Sequence, residues 1–515
     1  MSSLLVSMLR FCSGYATVSS APPISAAAQG TAPSRHVCVI GAGVAGLRCA
    51  QALSRAGVQV TVLEGDDGVG GRVRTDKVDG FLLDRGFQVF LSAYPESQVC
   101  LDYSALELCE FIPGAMVQMG SGAAARYLIA DPSRRPSTLL QTLQFPVGSL
   151  LDKAKLVAFV LTLKFFRNLD AIFASGGERS TLELLRDDIG LDPPLIDSFF
   201  KPFFKGIFLA PLEEQSAVLF KFVIKMNVNG ASALPKQGLG AVSEQLAQSV
   251  RDSGGDIRLS CAVDSIRAVR DSSSQEVVLA DGSKVRCDAV VVATPRKESR
   301  RLIGGRLPAA EGAQATDGSQ GGARSSSGSS GSGGSGGSGS DSWLDAENSE
   351  DDKVRVALGS ACVYFALDHP PPVSEPILVL NGGKGGGGTS GVVNTVCFPS
   401  TVSASYAPAG QHLASVGVVG AAEVDLENLE AAVRSELGSW FGKDEIESWR
   451  HLRTYRIKNA QEARPPPYDA DGFNRAPQVS KGIFVCGDHC ATPSLNGALR
   501  SGRVAAEAIL GQVSF

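Results

Sequence analysis

No run of eighteen apolar residues occurs in this 515-residue sequence, so no segment is long enough to span a bilayer as a helix. No charge of one sign dominates either. Forty-eight Lys and Arg stand against 53 Asp and Glu, which excludes the strongly basic footprint of a nucleic-acid binder. The eleven cysteines include no C-x-x-C pair. An odd number at irregular spacing argues against a disulfide framework and for a reducing compartment. Cys486 and Cys490 flank Gly-Asp-His, but with His489 they make a poor zinc set. They read as buried thiols, and no metal site is expected. Acidic residues are missing from the first 35 positions, which hold two arginines and many Ser and Ala. That composition predicts an organellar transit peptide, with an unaddressed disordered tail as the alternative.

What is present is concentrated first in His36 to Arg74. Val37 to Ile40 is a short apolar run of the kind buried in a parallel sheet. Gly41, Gly43 and Gly46 follow as G-x-G-x-x-G, with Leu47, Ala50 and Leu53 at helical spacing behind them. A second apolar strand, Val60 to Leu63, ends in Glu64. Gly41 permits the tight turn, Gly43 admits a pyrophosphate, and Gly46 lets helix and strand pack closely. The helix N-terminus offers free N–H groups to the phosphates. Glu64, eighteen residues after Gly46, is placed to accept hydrogen bonds from ribose hydroxyls. A bare glycine-rich turn would explain the glycines alone; strand, helix, strand and terminal acid together predict a dinucleotide site.

Gly70-Gly71-Arg72 adds a second close-approach segment and a guanidinium able to neutralise a phosphate. With these residues the chain resembles the FAD-binding start of the amine oxidase, protoporphyrinogen oxidase and phytoene desaturase superfamily, and within it feels nearest to phytoene desaturase-like members. The resemblance runs from His36 to Leu510, apart from a Gly/Ser-rich stretch. It implies that Gly86 lies against the flavin and that Val263 touches the adenine end through its backbone. It also implies that Gly487-Asp488, after the strand Gly482 to Cys486, sits by the ribityl and pyrophosphate groups. The helix begun by Asn496, Gly497 and Ala498 would then meet the pyrimidine edge, where N–H groups stabilise negative charge. Ala45 belongs to the same implied cofactor set.

The fold class implied is α/β: a discontinuous Rossmann-like FAD domain of the glutathione-reductase type, with an inserted α+β substrate domain. Residues 36–112, 231–300 and 471–515 would form the FAD domain. Residues 113–230, read as helical, and 353–470, read as sheet plus helix, would form the substrate domain. Residues 1–35 are the leader, and 303–352 are a Gly/Ser-rich insertion that cannot bury enough apolar surface to order. Ser149 to Asn168 is a strongly apolar helix, read as part of the core, with an interfacial segment as the alternative. Phe199 to Phe208 is aromatic-dense and fits equally a packed core or the wall of an apolar cavity.

The implied chemistry is removal of two hydrogens from substrate as a hydride to flavin N5, with oxygen or a quinone accepting the electrons. Amine oxidases of the superfamily place a lysine on a substrate-domain strand. The matching stretch here, Gly359 to Phe365, has none. That departure points to an apolar, isoprenoid-like substrate; an amine oxidase and a non-catalytic binding protein of the Rab-escort type are the alternatives. No residue presents itself as catalytic acid or base, and Arg456 and His489 read as structural. Peripheral membrane contact is compatible with an apolar substrate. The leader, taken with the resemblance, favours the chloroplast, with the mitochondrion as runner-up.

Overall fold

The computed structural model describes residues 35–131, 134–174, 179–269, 274–304, 357–383, 391–420, 428–463, 465–466 and 475–512. The expected leader and nearly all of the Gly/Ser-rich insertion lie outside the described residues.

The chain opens with β1 (His36–Ile40), α1 (Val44–Arg55) and β2 (Gln59–Leu63), then a hairpin of β3 (Thr75–Val78) and β4 (Phe81–Asp84). β5 (Gly114–Gln118) and β6 (Arg126–Ala130) precede a helical stretch that includes α2 (Leu139–Leu143), α3 (Leu150–Phe166), α4 (Lys201–Phe208) and α5 (Ala217–Asn229). The segment read as helical therefore begins with two strands. Next come α6 (Gly240–Asp252), β7 (Asp256–Arg258), β8 (Val263–Ala268), β9 (Gln275–Leu279), β10 (Lys284–Cys287) and β11 (Ala289–Val292). β12 (Ala357–Leu367), β13 (Leu378–Asn381), β14 (Thr395–Cys397), β15 (His412–Val419), α7 (Leu429–Phe441) and β16 (Arg450–Glu462) follow. β17 (Gln478–Ser480), β18 (Ile483–Val485) and α8 (Leu495–Leu510) complete the described chain.

Two sheets organise these elements. The first has the order β7-β2-β1-β11-β18-β17, parallel except for β17. Strand side chains alternate between faces, and β1 is apolar on both. Val37 and Val39 pack with α1, α6 and α8, whereas Cys38 and Ile40 pack with Ile266, Val277 and Val285 of the antiparallel sheet β8-β9-β10. A parallel strand buried on both faces needs such a double cover. α8 crosses α1 so closely that a Cβ at Gly502 would stand 2.2 Å from the Ala45 carbonyl oxygen.

The second sheet has the order β16-β12-β15-β14-β13-β5-β6. All its pairs are antiparallel except β13 with β5. One face packs on α7 through Val433, Leu437 and Trp440. α3, α4 and α5, with the helical turn Ile196–Phe200, build a third core around Phe200, Phe204, Phe220 and Phe222, each nearly inaccessible to solvent. Phe204 and Phe220 lie 4.5 Å apart between ring centroids, and each buried phenyl contributes about 1.5–3 kcal/mol.

α3 is capped reciprocally. Ser149 Oγ accepts from the Asp152 N–H at 3.1 Å, and the Asp152 carboxylate accepts from the Ser149 N–H at 2.8 Å. Only one side of this helix meets the core expectation. Leu156, Phe159 and Leu163 pack inward, but Leu150, Leu151, Val157, Leu161 and Phe165 are exposed.

Candidate functional site

Where β1 gives way to α1, the backbone is shaped by what a side chain would strike. Gly41 adopts φ +103° and donates its N–H to the Leu63 carbonyl at 2.8 Å, tying the turn to β2. A Cβ on Gly46 would lie 2.0 Å from the Gly41 carbonyl oxygen, so the first turn of α1 rests directly on the loop. Gly43 is different, because a Cβ there meets no protein atom within 4 Å. It caps α1 with no side-chain hydrogen bond and no acid in the first turn, leaving the helix N-terminus open to an anion. Gly70 (φ +111°) donates to the Ala42 carbonyl at 2.8 Å and bridges Gly43. The second glycine pair is thereby laid against the first.

Glu64 fixes the loop from below. Its Oε2 accepts from the Ala42 N–H at 2.7 Å and its Oε1 from the Asp66 N–H at 2.9 Å. A carboxylate oxygen has more than one lone pair, so ribose hydroxyls can still be accepted. Arg72 does not stand as a lone phosphate ligand. It forks onto Asp488 at 2.7 and 2.9 Å and donates to the Ala460 carbonyl at 2.8 Å. The Asp488 charge raises the Arg72 pKa further above its ordinary value. The pair joins the first cofactor motif to the last.

These groups surround one cavity of about 670 Å³, within the usual range for small-molecule sites. Gly41, Gly43, Ala45, Glu64, Gly70, Gly71, Arg72, Gly86, Val263, Gly487, Asp488 and Ala498 all line it. The Val263 carbonyl already accepts from Arg301 at 3.0 Å. Gly86, at φ +89°, leaves room for Ile457, whose Cδ1 would lie 3.1 Å from a Cβ there. Asn496 and Gly497 are placed elsewhere. The Asn496 Oδ1 accepts from the Glu96 N–H at 3.1 Å, capping the short helix Pro95–Cys100. The Gly497 N–H donates to Ser494 Oγ at 3.0 Å, and a Cβ on it would strike the Thr492 carbonyl at 1.9 Å. Both shape the start of α8, and Ala498 is the residue of the three that reaches the cavity.

Arg85, Phe87, Leu209, Ser360 and Gln461 also line the cavity, though the sequence did not single them out, and so does Ile207. Ile207 comes from the aromatic-dense segment, whose phenylalanines Phe200, Phe204 and Phe208 are buried in the core, and Leu209 follows it directly. Both readings of that segment therefore apply, to different residues. Ser360 lies on β12, in the stretch noted for lacking a lysine, and no lysine is among the lining residues. Arg456 is exposed and is absent from the lining, and His489 is buried beside Gly487.

Behind the cavity floor, the buried Asp84 carboxylate accepts from Thr75 Oγ1, the Leu239 N–H (2.9 Å) and Tyr406 OH (3.1 Å). Burial pushes its pKa up to about 6 despite these donors. The Tyr364 hydroxyl donates to the Asp84 backbone carbonyl at 2.8 Å, so β4 is braced against β12.

The residues present fit FAD on three counts. The uncapped α1 N-terminus faces the cavity, Gly43 offers open space where a pyrophosphate must come close, and two glycine segments run side by side. When bound, FAD supplies the two-electron acceptor, while the protein positions the substrate and excludes water.

Comparison with known proteins agrees. The family described as flavin containing amine oxidoreductase matches residues 44–321 and 355–510. A coproporphyrinogen III oxidase of Propionibacterium freudenreichii subsp. freudenreichii is 26% identical over 341 residues, 54% of this chain and 60% of that protein. A putrescine oxidase of Kocuria rosea is 36% identical over 133 residues, 25% of each chain. The chain thus spans less than two thirds of the length of these curated relatives. The solved cyclohexylamine oxidase of Brevibacterium oxydans IH-35A superposes with a TM-score of 0.60. That likeness covers 93% of this chain and 99% of that one at 14% identity, and is one of fold. The chain belongs to the flavin-containing amine oxidoreductase family, within the superfamily of FAD-dependent oxidoreductases.

Proposed function

We propose that the protein oxidises a C–N bond in an amine-type substrate, with FAD taking the hydride and oxygen as the final acceptor. The observation that carries this reading is the character of the cavity beyond the dinucleotide cradle. Phe87, Ile207, Leu209 and Ile457 supply apolar walls, and Ser360 and Gln461 supply uncharged polar groups. Such walls disfavour an ammonium ion and select the neutral amine. Its free lone pair is what allows a hydride to leave the adjacent carbon. Putrescine and cyclohexylamine oxidases among the relatives support the same substrate class. The expected isoprenoid-like substrate finds no counterpart in the relatives named above.

The test is hydrogen peroxide release by the purified protein across a panel of primary and secondary amines. For an active amine, kcat/KM should rise with pH as the substrate loses its proton. Silence across the panel, with FAD bound and no bleaching under anaerobic conditions, would refute the proposal. Ser360 at the lysine-free strand favours a second reading, desaturation of a C–C bond in an apolar molecule. Anaerobic bleaching by such a molecule but by no amine would establish it. For the leader we propose plastid import, with the mitochondrion as alternative; a reporter fused to residues 1–35 that stays cytosolic would rule out both.

A further inference from the structure

Nine of the eleven large apolar side chains exposed among the described residues fall between Leu139 and Phe166. On α3, Leu150, Leu151, Val157, Leu161 and Phe165 recur at helical spacing along the solvent side, and Phe166 closes the row at 81% exposure. The three leucines of α2 extend the patch. Lys153 joins the two helices by donating to the Leu143 and Phe145 carbonyls at 2.8 and 3.0 Å. Monomeric proteins rarely leave so many large apolar groups together in water.

The charge around this patch leans positive. From Asp131 to Asp170 six basic residues stand against three acids, Asp131, Asp152 and Asp170. Asp152 is buried within the α3 cap. Arg135 and Arg167 are exposed at either end, and the Lys164 ammonium lies 5.6 Å over the Phe165 ring. A second copy meeting this face about a two-fold axis would bring like charges together. A bilayer with anionic headgroups accepts both features, taking leucine and phenylalanine side chains below the headgroups and arginines at their level. No described helix is long and apolar enough to cross a membrane, so α3 would lie along the surface, roughly 25 Å of it by helical rise.

We propose that α2 and α3 form a docking surface for a membrane containing anionic lipids. Inward, Phe159 of α3 stacks on Phe220 of α5, which packs on Phe204 of α4. The patch is thus two helices from Ile207 in the cavity wall.

The test is flotation of the full chain with phosphatidylcholine–phosphatidylglycerol vesicles and with pure phosphatidylcholine vesicles. The protein should float with the anionic vesicles, and more weakly with the neutral ones or at high salt. Leu151→Gln/Leu161→Gln/Phe165→Gln should lower the partition coefficient at least about tenfold. Arg135→Glu/Arg167→Glu should weaken binding to anionic vesicles only. Both variants should keep their flavin absorption, since the positions are solvent-facing. Three results would overturn the proposal: no flotation of the wild-type chain, undiminished flotation of both variants, or a dimer that the glutamine variant dissociates in a protein that ignores vesicles.

Discussion

Gly43 and Gly46 belong to one motif, but the structure gives them opposite duties, and alanine can separate them. At Gly43 (φ −72°, ψ 172°) the backbone is ordinary for an L-residue, and a new Cβ meets no protein atom within 4 Å. Gly43→Ala should therefore change the stability of the apoprotein by no more than about 1 kcal/mol, a slightly poorer cap set against a less flexible unfolded chain. The same methyl enters the space reserved for a pyrophosphate. Displacing the phosphates from one charge-assisted hydrogen bond costs about 1.5–3 kcal/mol, roughly a 10- to 150-fold rise in the Kd for FAD. Gly46→Ala is the reverse case. Its Cβ would lie 2.0 Å from the Gly41 carbonyl and 3.0 Å from Ala293 Cβ, so the loop or the helix must move, at about 1–3 kcal/mol or more. Titration calorimetry of the apoprotein with FAD and thermal unfolding followed by circular dichroism read the two effects separately. The reasoning fails if Gly43→Ala binds FAD as tightly as the wild type, or if it lowers the apoprotein's Tm as much as Gly46→Ala does.

The Arg72–Asp488 fork predicts coupling. Arg72→Ala should weaken FAD binding by leaving Asp488 beside the phosphates without its partner. Asp488→Ala in that background should recover about 1 kcal/mol in a double-mutant cycle read by the same titration. Asp84 carries a folded pKa raised to about 6, so its stabilising contribution is full below about pH 4 and is lost as pH rises through 6. Asp84→Asn keeps the Oδ1 acceptor for Thr75 and Leu239. Its stability relative to the wild type, measured by urea unfolding, should improve by up to about 3 kcal/mol between pH 4 and pH 7. A flat difference would exclude Asp84 as the titrating group. Phe204→Ala removes a ring fully buried against Phe200, Phe208 and Phe220, and should cost about 3–5 kcal/mol in the same denaturant assay.

The dinucleotide half of the molecule was legible because its signals are local. The apolar runs of β1 and β2, the intervening glycines and the terminal Glu64 lie within thirty residues and have few alternative explanations. Other features depend on partners that no local pattern names. Arg72 could be read as a phosphate ligand, but its Asp488 partner stands 416 positions away. Asn496 fitted a cofactor contact, yet its amide caps a helix that begins at Pro95. α3 is apolar around most of its circumference, so periodicity could not separate the face packed on Phe220 from the face left in water. β5 is a short strand that gains its meaning from pairing with β13, some 260 residues later, and β6 joins the sheet through β5. The lysine-free character of β12 was visible in the sequence, whereas the position of Ser360 on the cavity wall needed the sheet.

The strand order β1-β11-β18 also dictates when the site can exist during synthesis. At roughly 5–20 residues per second, tens of seconds separate the emergence of Arg72 from that of Asp488. Once Val290 to Val292 of β11 have emerged, they present an apolar edge whose partner, Ile483 to Val485, has not yet been made. An unpaired apolar strand edge of that kind is open to mispairing until β18 adds to the sheet. The cofactor cavity is complete only when Gly487, Asp488 and Ala498 have joined the glycine loops of the N-terminal motif.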